Sequence, residues 1–364
     1  MINVMHLIDG LAIGGSERVL VDLVNNFNKE VIHPLVCVTR RDLTFSKEID
    51  QDIPVYCLHR VKTFDLKAIQ QFKQIVKAEN IQIIHAHGYS SFKFAFMAKL
   101  FLFLHLKIVL HAHSSEPPGF LTCSIGRVGI DNFFGVSNET VHWAKVRFKL
   151  PDRKIHLLEN GIDSGPYLSA TPMDVRNFFI EDPAKIGIMV ANVRPVKDML
   201  TLIDAVAKCQ YRSNIGILIA GSIQDKEYFD LCLKRIQQSS LEKTIIFLGL
   251  RTDIPNLLAS ADFGLLTSER ETGPIALLEY MAAGLPFVVT NVGQVAHEVS
   301  ANGIPACVQT KDPLAFAKAL DELLMEDENR LLKRIEDAKH LLKNKFDISQ
   351  KSSELLHHYE SMIR

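Results

Sequence analysis

Two carboxylates eight positions apart give this 364-residue sequence its strongest chemical signal. Glu271 and Glu279 lie in SERETGPIALLEYMAAG, residues 268 to 284. Pro274 favours a helix start and Gly284 favours a helix end, so the pattern predicts a helix over 274–283. Glu279 then lies in mid-helix among apolar side chains, where an unpaired carboxylate is costly. The carboxylate must reach solvent, pair with an internal arginine, or accept hydrogen bonds from the hydroxyls of a ligand.

The start of this helix is a second candidate binding element. Backbone amides at a helix N-terminus favour an anion, and the segment concerned is Thr272, Gly273, Pro274 and Ile275. A ligand that offers both hydroxyls and negative charge fits this pattern, and a nucleotide sugar has both parts. Gly14 and Gly15, after the first apolar run, suit close backbone approach to a phosphate or an acceptor, although ligand-free Gly-Gly turns are equally common.

Two His-Ala-His stretches support an alternative chemistry. His85 with His87, and His111 with His113, each close an apolar run, and residues two apart on a strand share a face. Four imidazoles at one sheet edge would suit a zinc hydrolase if both strands were neighbours. The Asp-Gln-Asp stretch at 50 to 52 spells a metal-binding D-x-D, but it lies in a polar connector and is interpreted as solvated surface.

Alternating strands and helices must position these residues. Apolar runs such as INVMHLI, KIVLHA and NFFGVS recur through the first half between helical patterns, and KIGIMVA, IGILIAG, KTIIFLG, DFGLLTS and PFVVTN repeat that alternation in the second half. This predicts an α/β protein of two doubly wound parallel-sheet (Rossmann-like) domains, with ligands in a cleft at the carboxyl ends of the strands. We predict domains over 1–163 and 164–345, and a C-terminal helix over 346–364 that packs back on the first domain.

Bulk composition narrows the function classes. A formal charge of −1 argues against a nucleic-acid partner, and six cysteines without a C-x-x-C pair suit reduced thiols in a cytoplasmic protein. The apolar stretch 94–110 is interrupted by lysines and is not expected to cross a membrane. Basic and aromatic residues alternate in 92–107 and 142–154, which fits either docking on anionic lipid or core helices with solvated lysines.

The carboxylate stretch resembles the E-x7-E signature of the retaining glycosyltransferases of family four, which have the GT-B fold. GGSERVLVDL, IIHAHG, HAHSS, GVSNETV, ENGID, VRPVKD, FLGLRTDIPNLLASADFGLLTS and MAAGLPFVVTNVG also resemble that family, in order along nearly the whole chain. The resemblance implies that Glu279 holds the donor ribose and that Glu271, with the neighbouring amides, holds the transferred sugar. It also implies that Lys197 pairs with the donor diphosphate and that His113 contacts the donor sugar.

Two further assignments follow from the resemblance. Arg251, in GLRTD, matches the segment that faces the nucleotide base. Asn192 falls where many members carry arginine, and Arg194 lies two positions later and is the candidate replacement. Lys197 and Arg194 beside a departing diphosphate would stabilise its growing negative charge. The alternative interpretation is that both are exposed basic residues in a loop.

The implied activity is metal-independent, retaining transfer of a hexose or derivative from a nucleotide diphosphate sugar, with a UDP-sugar favoured. No cofactor is expected. Resemblance to bacterial polysaccharide-assembly members of the family suggests a glycan acceptor in surface polysaccharide synthesis. If the protein docks on the inner face of the plasma membrane, that acceptor is expected to be lipid-linked. Two alternatives stay open: a nucleotide-sugar epimerase of the same architecture, and the metal-dependent hydrolase built on the two His-Ala-His stretches.

Overall fold

The computed structural model of the chain describes residues 1–62 and 65–363. It divides into two compact units, the first made of Met1–Gly161 with the segment from Ile348 onward, the second of Ile162–Asp347. Arg364, the last residue of the predicted C-terminal helix, lies outside the described residues.

The first unit contains a seven-stranded parallel sheet with the order β3-β2-β1-β4-β5-β6-β7. Its strands are β1 (Ile2–Ile8), β2 (Ile32–Val38), β3 (Val55–Cys57), β4 (Ile83–His87), β5 (Lys107–Ala112), β6 (Asn132–Gly135) and β7 (Ile155–Leu157). Its helices up to this point are α1 (Gly15–Asn25), α2 (Leu66–Ala78), α3 (Tyr89–Phe101), α4 (Phe120–Gly129) and α5 (Asn138–Val146). Strands β4, β5 and β6 bury nearly every residue, as a parallel sheet covered on both faces requires.

The second unit contains a six-stranded parallel sheet with the order β10-β9-β8-β11-β12-β13. Its strands are β8 (Lys185–Val190), β9 (Ile215–Ala220), β10 (Ile245–Gly249), β11 (Phe263–Leu266), β12 (Phe287–Thr290) and β13 (Cys307–Val308). Its helices are α6 (Gly165–Leu168), α7 (Met199–Lys208), α8 (Lys226–Gln238), α9 (Ile254–Leu258), α10 (Ile275–Ala283), α11 (Gly293–Ala301), α12 (Pro313–Met325) and α13 (Glu328–Leu341).

The final helix, α14 (Ile348–Ile363), belongs to the first unit and contacts α1. Tyr359 is fully buried, and its ring lies 6.2 Å from that of Phe27, between the centroids. The Lys351 ammonium lies 3.6 Å from the Glu159 carboxylate, so one buried cation and one buried anion meet where this helix joins the unit.

The two parallel sheets confirm the predicted fold class of paired Rossmann-like domains. In both sheets the strand order reverses beside the first strand, which places the carboxyl ends of β1 and β8 where such folds bind ligands. In the part of the chain that the structure describes, we find no helix that is both long enough and apolar enough to cross a membrane.

Candidate active site

The buried carboxylate of Glu279 lies on α10, as the sequence predicts. Pro274 precedes the helix with φ −65° and ψ 112°, and Gly284 ends it in the left-handed conformation at φ +70°. Glu279 is only 8% exposed. The Tyr167 hydroxyl, on the short helix α6, donates a hydrogen bond of 2.9 Å to Glu279 Oε1. An uncharged donor from the same unit therefore contacts one oxygen of this carboxylate.

Tyr280, the next residue, fixes the position of α10 against the sheet. Its hydroxyl accepts from the Val190 amide and donates to the Leu265 carbonyl, both at 2.9 Å, which ties the helix to β8 and β11. The ring lies against Gly264, where any Cβ would come within 2.5 Å of it. A glycine on β11 thus allows the close approach that holds the helix, and with it Glu279, in register.

Glu271 and Lys197 form an ion pair. The Lys197 Nζ lies 2.5 Å from Glu271 Oε1, and both side chains are largely buried. The Ser268 hydroxyl donates to the same carboxylate oxygen at 2.7 Å. Lys197 ends the 3₁₀ turn Pro195–Lys197, and the Glu269 amide donates to the Val196 carbonyl at 2.9 Å. Two segments far apart in sequence are thereby fixed side by side.

The loop before α10 is closely packed. Thr272, Gly273 and Pro274 are buried, whereas Ile275 is half-buried. The Gln294 amide donates to the Thr272 carbonyl at 2.7 Å. Gly293 has φ +80°, and a Cβ there would lie 2.9 Å from Pro274 Cδ and 3.0 Å from Glu271 Cβ. The start of α11 therefore supports the loop that carries the predicted anion-binding amides.

The remaining second-unit candidates differ in their surroundings. Arg194 is exposed. Asn192 Oδ1 accepts from the Ser222 amide at 3.0 Å and from its hydroxyl at 2.8 Å, so this residue ties β8 to the segment after β9. Arg251 forms a two-point ion pair with Asp253, at 2.8 and 2.5 Å, and this hydrogen bonding lowers the pKa of Asp253.

Gly15 and His113 lie in the first unit. Gly15 is exposed and begins α1, directly after the extended residue Gly14. His113 follows β5, and its Nε2 lies 3.2 Å from Nδ1 of His87. Burial lowers the pKa of His113 to about 4, so this imidazole is neutral near pH 7.

The two His-Ala-His stretches do lie on neighbouring strands, as the hydrolase hypothesis requires. His87 is the register partner of His111, and the ligand nitrogens of His85, His87 and His111 lie within 4.8 Å of one another. Some of these nitrogens already lie within hydrogen-bond distance of another ring. His85 Nε2, for example, lies 3.1 Å from His111 Nδ1. Asp50 and Asp52 both accept from the Lys29 ammonium at the surface, at 2.8 and 2.7 Å.

The sequence prediction missed three residues of this site. Tyr167 lies three residues after the start of the second predicted domain, and its partner Glu279 lies 112 positions further along the chain. Ser268 and Gly293 lie in matched motifs but received no role. Their contacts depend on which loops meet beyond β11 and β12, and no local spacing in the sequence encodes that meeting.

The apolar surface differs from the predicted one. In 92–107 and 142–154 the aromatic residues Phe92, Phe94, Trp143 and Phe148 are buried, which supports the core-helix interpretation for those positions. Phe101 and Phe103 are exposed. Helix α4 lies outside these two segments, and it exposes Phe120 (88%), Leu121 (66%) and Val128 (79%).

Comparison with known proteins gives a consistent result. Residues 174–341 match the family described as Glycosyl transferases group 1, and residues 13–165 match the family described as Glycosyltransferase Family 4. N-acetyl-alpha-D-glucosaminyl L-malate synthase of Bacillus anthracis is 26% identical over 282 residues, which cover 75% of this chain and 73% of that protein.

A further relative and a solved structure extend the comparison. The UDP-Gal:alpha-D-GlcNAc-diphosphoundecaprenol alpha-1,3-galactosyltransferase of Escherichia coli is 23% identical over 256 residues, 66% of this chain and 65% of that protein. The crystal structure of Anabaena HepE in complex with UDP and glucose has a TM-score of 0.85 at 19% identity, over 99% of this chain and 100% of that chain. The last likeness concerns the fold. These matches give no support to the epimerase or hydrolase alternatives.

Proposed function

Since the chain belongs to glycosyltransferase family four, we propose that it is a retaining hexosyltransferase that uses a nucleotide diphosphate sugar and an acceptor hydroxyl. The observation that carries this proposal is Glu279, which is 8% exposed on an apolar helix and holds Tyr167 on one oxygen. We assign it to the ribose of the donor. The start of the same helix, Thr272 to Ile275, receives the transferred sugar together with Glu271.

Lys197 is the proposed electrostatic partner of the donor diphosphate. In this structure it pairs with Glu271, so a bound diphosphate would compete with or extend that ion pair. Arg194 is the second proposed cation; it is exposed and directly precedes the turn Pro195–Lys197. Arg251 is the candidate for the base, although its pairing with Asp253 leaves less of its guanidinium for a ligand.

The proposed reaction needs no protein nucleophile. The acceptor oxygen bonds to the anomeric carbon on the face that the diphosphate leaves, the bond from that carbon to the phosphate oxygen breaks, and this oxygen takes the acceptor's proton. Lys197 and the amides at the start of α10 stabilise the negative charge as it grows. His113 and Gly15, from the first unit, are assigned to the donor sugar and the phosphates. We propose that no metal or cofactor takes part.

A uridine nucleotide is the proposed donor base. Two of the similar proteins support it: HepE was solved with UDP, and the Escherichia coli protein is named for UDP-Gal. That second name also includes a diphosphoundecaprenol-linked sugar, which supports a lipid-linked glycan as the acceptor and a role in surface polysaccharide synthesis. We therefore propose a cytoplasmic enzyme that docks on the inner face of the plasma membrane through Phe120, Leu121 and Val128 of α4.

Nucleotide release tests the donor-site assignment. A panel of uridine, guanosine and adenosine diphosphate sugars is first screened with the parent protein, and the best donor is used for the variants. Glu279→Ala and Lys197→Ala should each lower kcat/KM roughly 10- to 100-fold, because each removes a charge-assisted contact. Lys243→Ala is the matched control, since Lys243 also pairs with a glutamate, Glu181, but at the exposed surface of the same unit. Parental rates in both site variants would remove the assignment.

A further inference from the structure

The carboxylate of Glu271 makes two contacts through the same oxygen. Its Oε1 lies 2.5 Å from the Lys197 ammonium and accepts a hydrogen bond of 2.7 Å from the Ser268 hydroxyl. Among the residues that the structure describes, no hydrogen bond to Oε2 is found. The Glu271 side chain keeps 13% of its surface exposed. Oε2 is therefore the oxygen that is available to a ligand.

The two donors to Oε1 differ in their freedom to move. Ser268 is fully buried, and a single side-chain torsion places its hydroxyl oxygen. Its backbone carbonyl accepts a hydrogen bond of 2.6 Å from the hydroxyl of Thr290, the last residue of β12. Lys197 instead carries its ammonium on a flexible four-carbon stem. Ser268 is thus a fixed donor, and Lys197 is a movable one.

A bound diphosphate would act differently on these two donors. It carries more negative charge than one carboxylate, and lysine binds phosphates as a point charge rather than in a fixed geometry. On the proposed function Lys197 faces this diphosphate, so its ammonium is drawn from Glu271 toward the phosphate oxygens. The Ser268 hydroxyl is uncharged and buried, so it stays on Oε1. In the loaded enzyme Ser268 is therefore the donor that keeps the carboxylate in place.

We propose that Ser268 is a positioning residue, which holds Glu271 by Oε1 and keeps Oε2 directed at a hydroxyl of the transferred sugar. The contact between Glu271 and the sugar rests on the proposed function. A carboxylate oxygen only accepts hydrogen bonds, so the sugar must present a free hydroxyl at this place. Without Ser268, the carboxylate loses its fixed donor when Lys197 turns to the diphosphate, and it takes several orientations.

Ser268→Ala tests this role, because it removes the hydroxyl and little else. With the best donor of the nucleotide-sugar panel, kcat/KM for nucleotide release should fall about 10-fold. The Kd of the corresponding nucleoside diphosphate, UDP for a uridine donor, should stay within about twofold of the parent, because it lacks the sugar. Ser268→Cys keeps the size of the side chain but is a weak donor, so its rate should lie between those of the parent and Ser268→Ala.

Thr290→Val is the matched control. Thr290 is as buried as Ser268, and its hydroxyl bonds the Ser268 backbone, so the substitution loosens the same loop without removing a donor from the carboxylate. Its kcat/KM should stay within about threefold of the parent. A loss as large as that of Ser268→Ala would show that loop packing governs the rate, and the proposal would be wrong. A matching loss of nucleoside diphosphate affinity in Ser268→Ala would likewise contradict it.

A double-mutant cycle identifies the residue through which Ser268 acts. Adding Ser268→Ala to Glu271→Ala should change kcat/KM by less than about twofold, because the hydroxyl then has no carboxylate to hold. An undiminished effect in that background would overturn the proposal. A parental rate in Ser268→Ala, with a slow Glu271→Ala, would overturn it while leaving the proposed function in place. A parental rate in Glu271→Ala would instead remove the sugar contact from the proposed function, and the role of Ser268 with it.

Discussion

Tyr167 and Glu279 form a hydrogen bond of 2.9 Å in surroundings from which water is nearly excluded. A carboxylate needs several donors, and a buried one loses more when a donor is removed. By occupying Oε1, Tyr167 orients the group so that Oε2 faces a fixed direction. On the proposed function, this makes Tyr167 a positioning residue for the ribose contact.

Replacing this tyrosine tests that role at the smallest scale. Tyr167→Phe removes one hydroxyl and keeps the ring, so unfolding free energy should fall by about 1–2 kcal/mol. The KM for the donor should rise several-fold with little change in kcat, because binding of the ribose is weakened in ground and transition states alike. Urea unfolding and steady-state nucleotide release measure the two effects. Tyr211→Phe is the control and should change neither, because the Tyr211 hydroxyl contacts the sulfur of Met325 at the surface of the same unit.

Individual residues of the site were predictable only where they break a pattern. Glu279 could be found because a carboxylate interrupts an apolar helix, and the structure places it in that helix, buried. Tyr167 could not, since its partner lies 112 positions away in sequence. The contacts among the histidines of the first sheet were likewise hidden. His6 stands opposite His85 only because β1 and β4 are neighbours, and neither strand's own sequence states which strand lies beside it.

At the scale of elements, long apolar runs predicted the strands well, because a buried parallel strand is apolar on both faces. β1 and β5 have the predicted bounds within one residue. The short strands β3 and β13, of three and two residues, were missed. Both lie at a sheet edge, where so few residues give no periodicity to detect.

The face of the first sheet that carries the histidines should be sensitive to acid. Burial lowers the pKa of His113 and of His156 to about 4 and that of His6 to about 3, from an ordinary value of 6.5. A histidine whose pKa is depressed by folding takes up a proton on unfolding. Its contribution to stability is therefore complete above pH 6.5 and is lost as the pH falls toward the folded value, by about 1.4 kcal/mol per pH unit for each group.

Hydrogen exchange at pH 7 and pH 5 measures this effect element by element. We expect β1, β4 and β5 to lose protection at pH 5, while β8 and β9 keep it, because strands β8 to β13 contain no histidine. His156→Phe removes one of these titrating groups and should make the pH dependence shallower by about one proton. Equal loss of protection in both sheets would show that these histidines do not govern acid stability.

At the scale of the whole molecule, α4 presents an outward apolar face that its own unit leaves exposed. Phe120, Leu121 and Val128 are at least 66% exposed, and Arg127 is exposed beside them. The opposite face is built from small residues: a Cβ at Gly126 would lie 2.4 Å from the Phe148 ring, and one at Gly129 would lie 2.2 Å from the Phe96 ring. The helix therefore packs closely on its inner side and turns its large apolar groups outward, as helices that lie in a membrane interface do.

Vesicle binding by the full chain tests whether that face meets lipid. The parent protein should sediment with vesicles containing phosphatidylglycerol and bind neutral phosphatidylcholine vesicles less, because basic residues near the surface add attraction to anionic lipid. The double substitution Phe120→Ser with Leu121→Ser should reduce binding about 10-fold or more, since two large apolar groups no longer enter the interface. Ile180→Ser is the matched control, because Ile180 is 83% exposed in the second unit. Full vesicle binding by the double variant, with full nucleotide release, would show that α4 is not the docking surface. Loss of vesicle binding with full nucleotide release would show that membrane attachment and sugar transfer are separate properties of the protein.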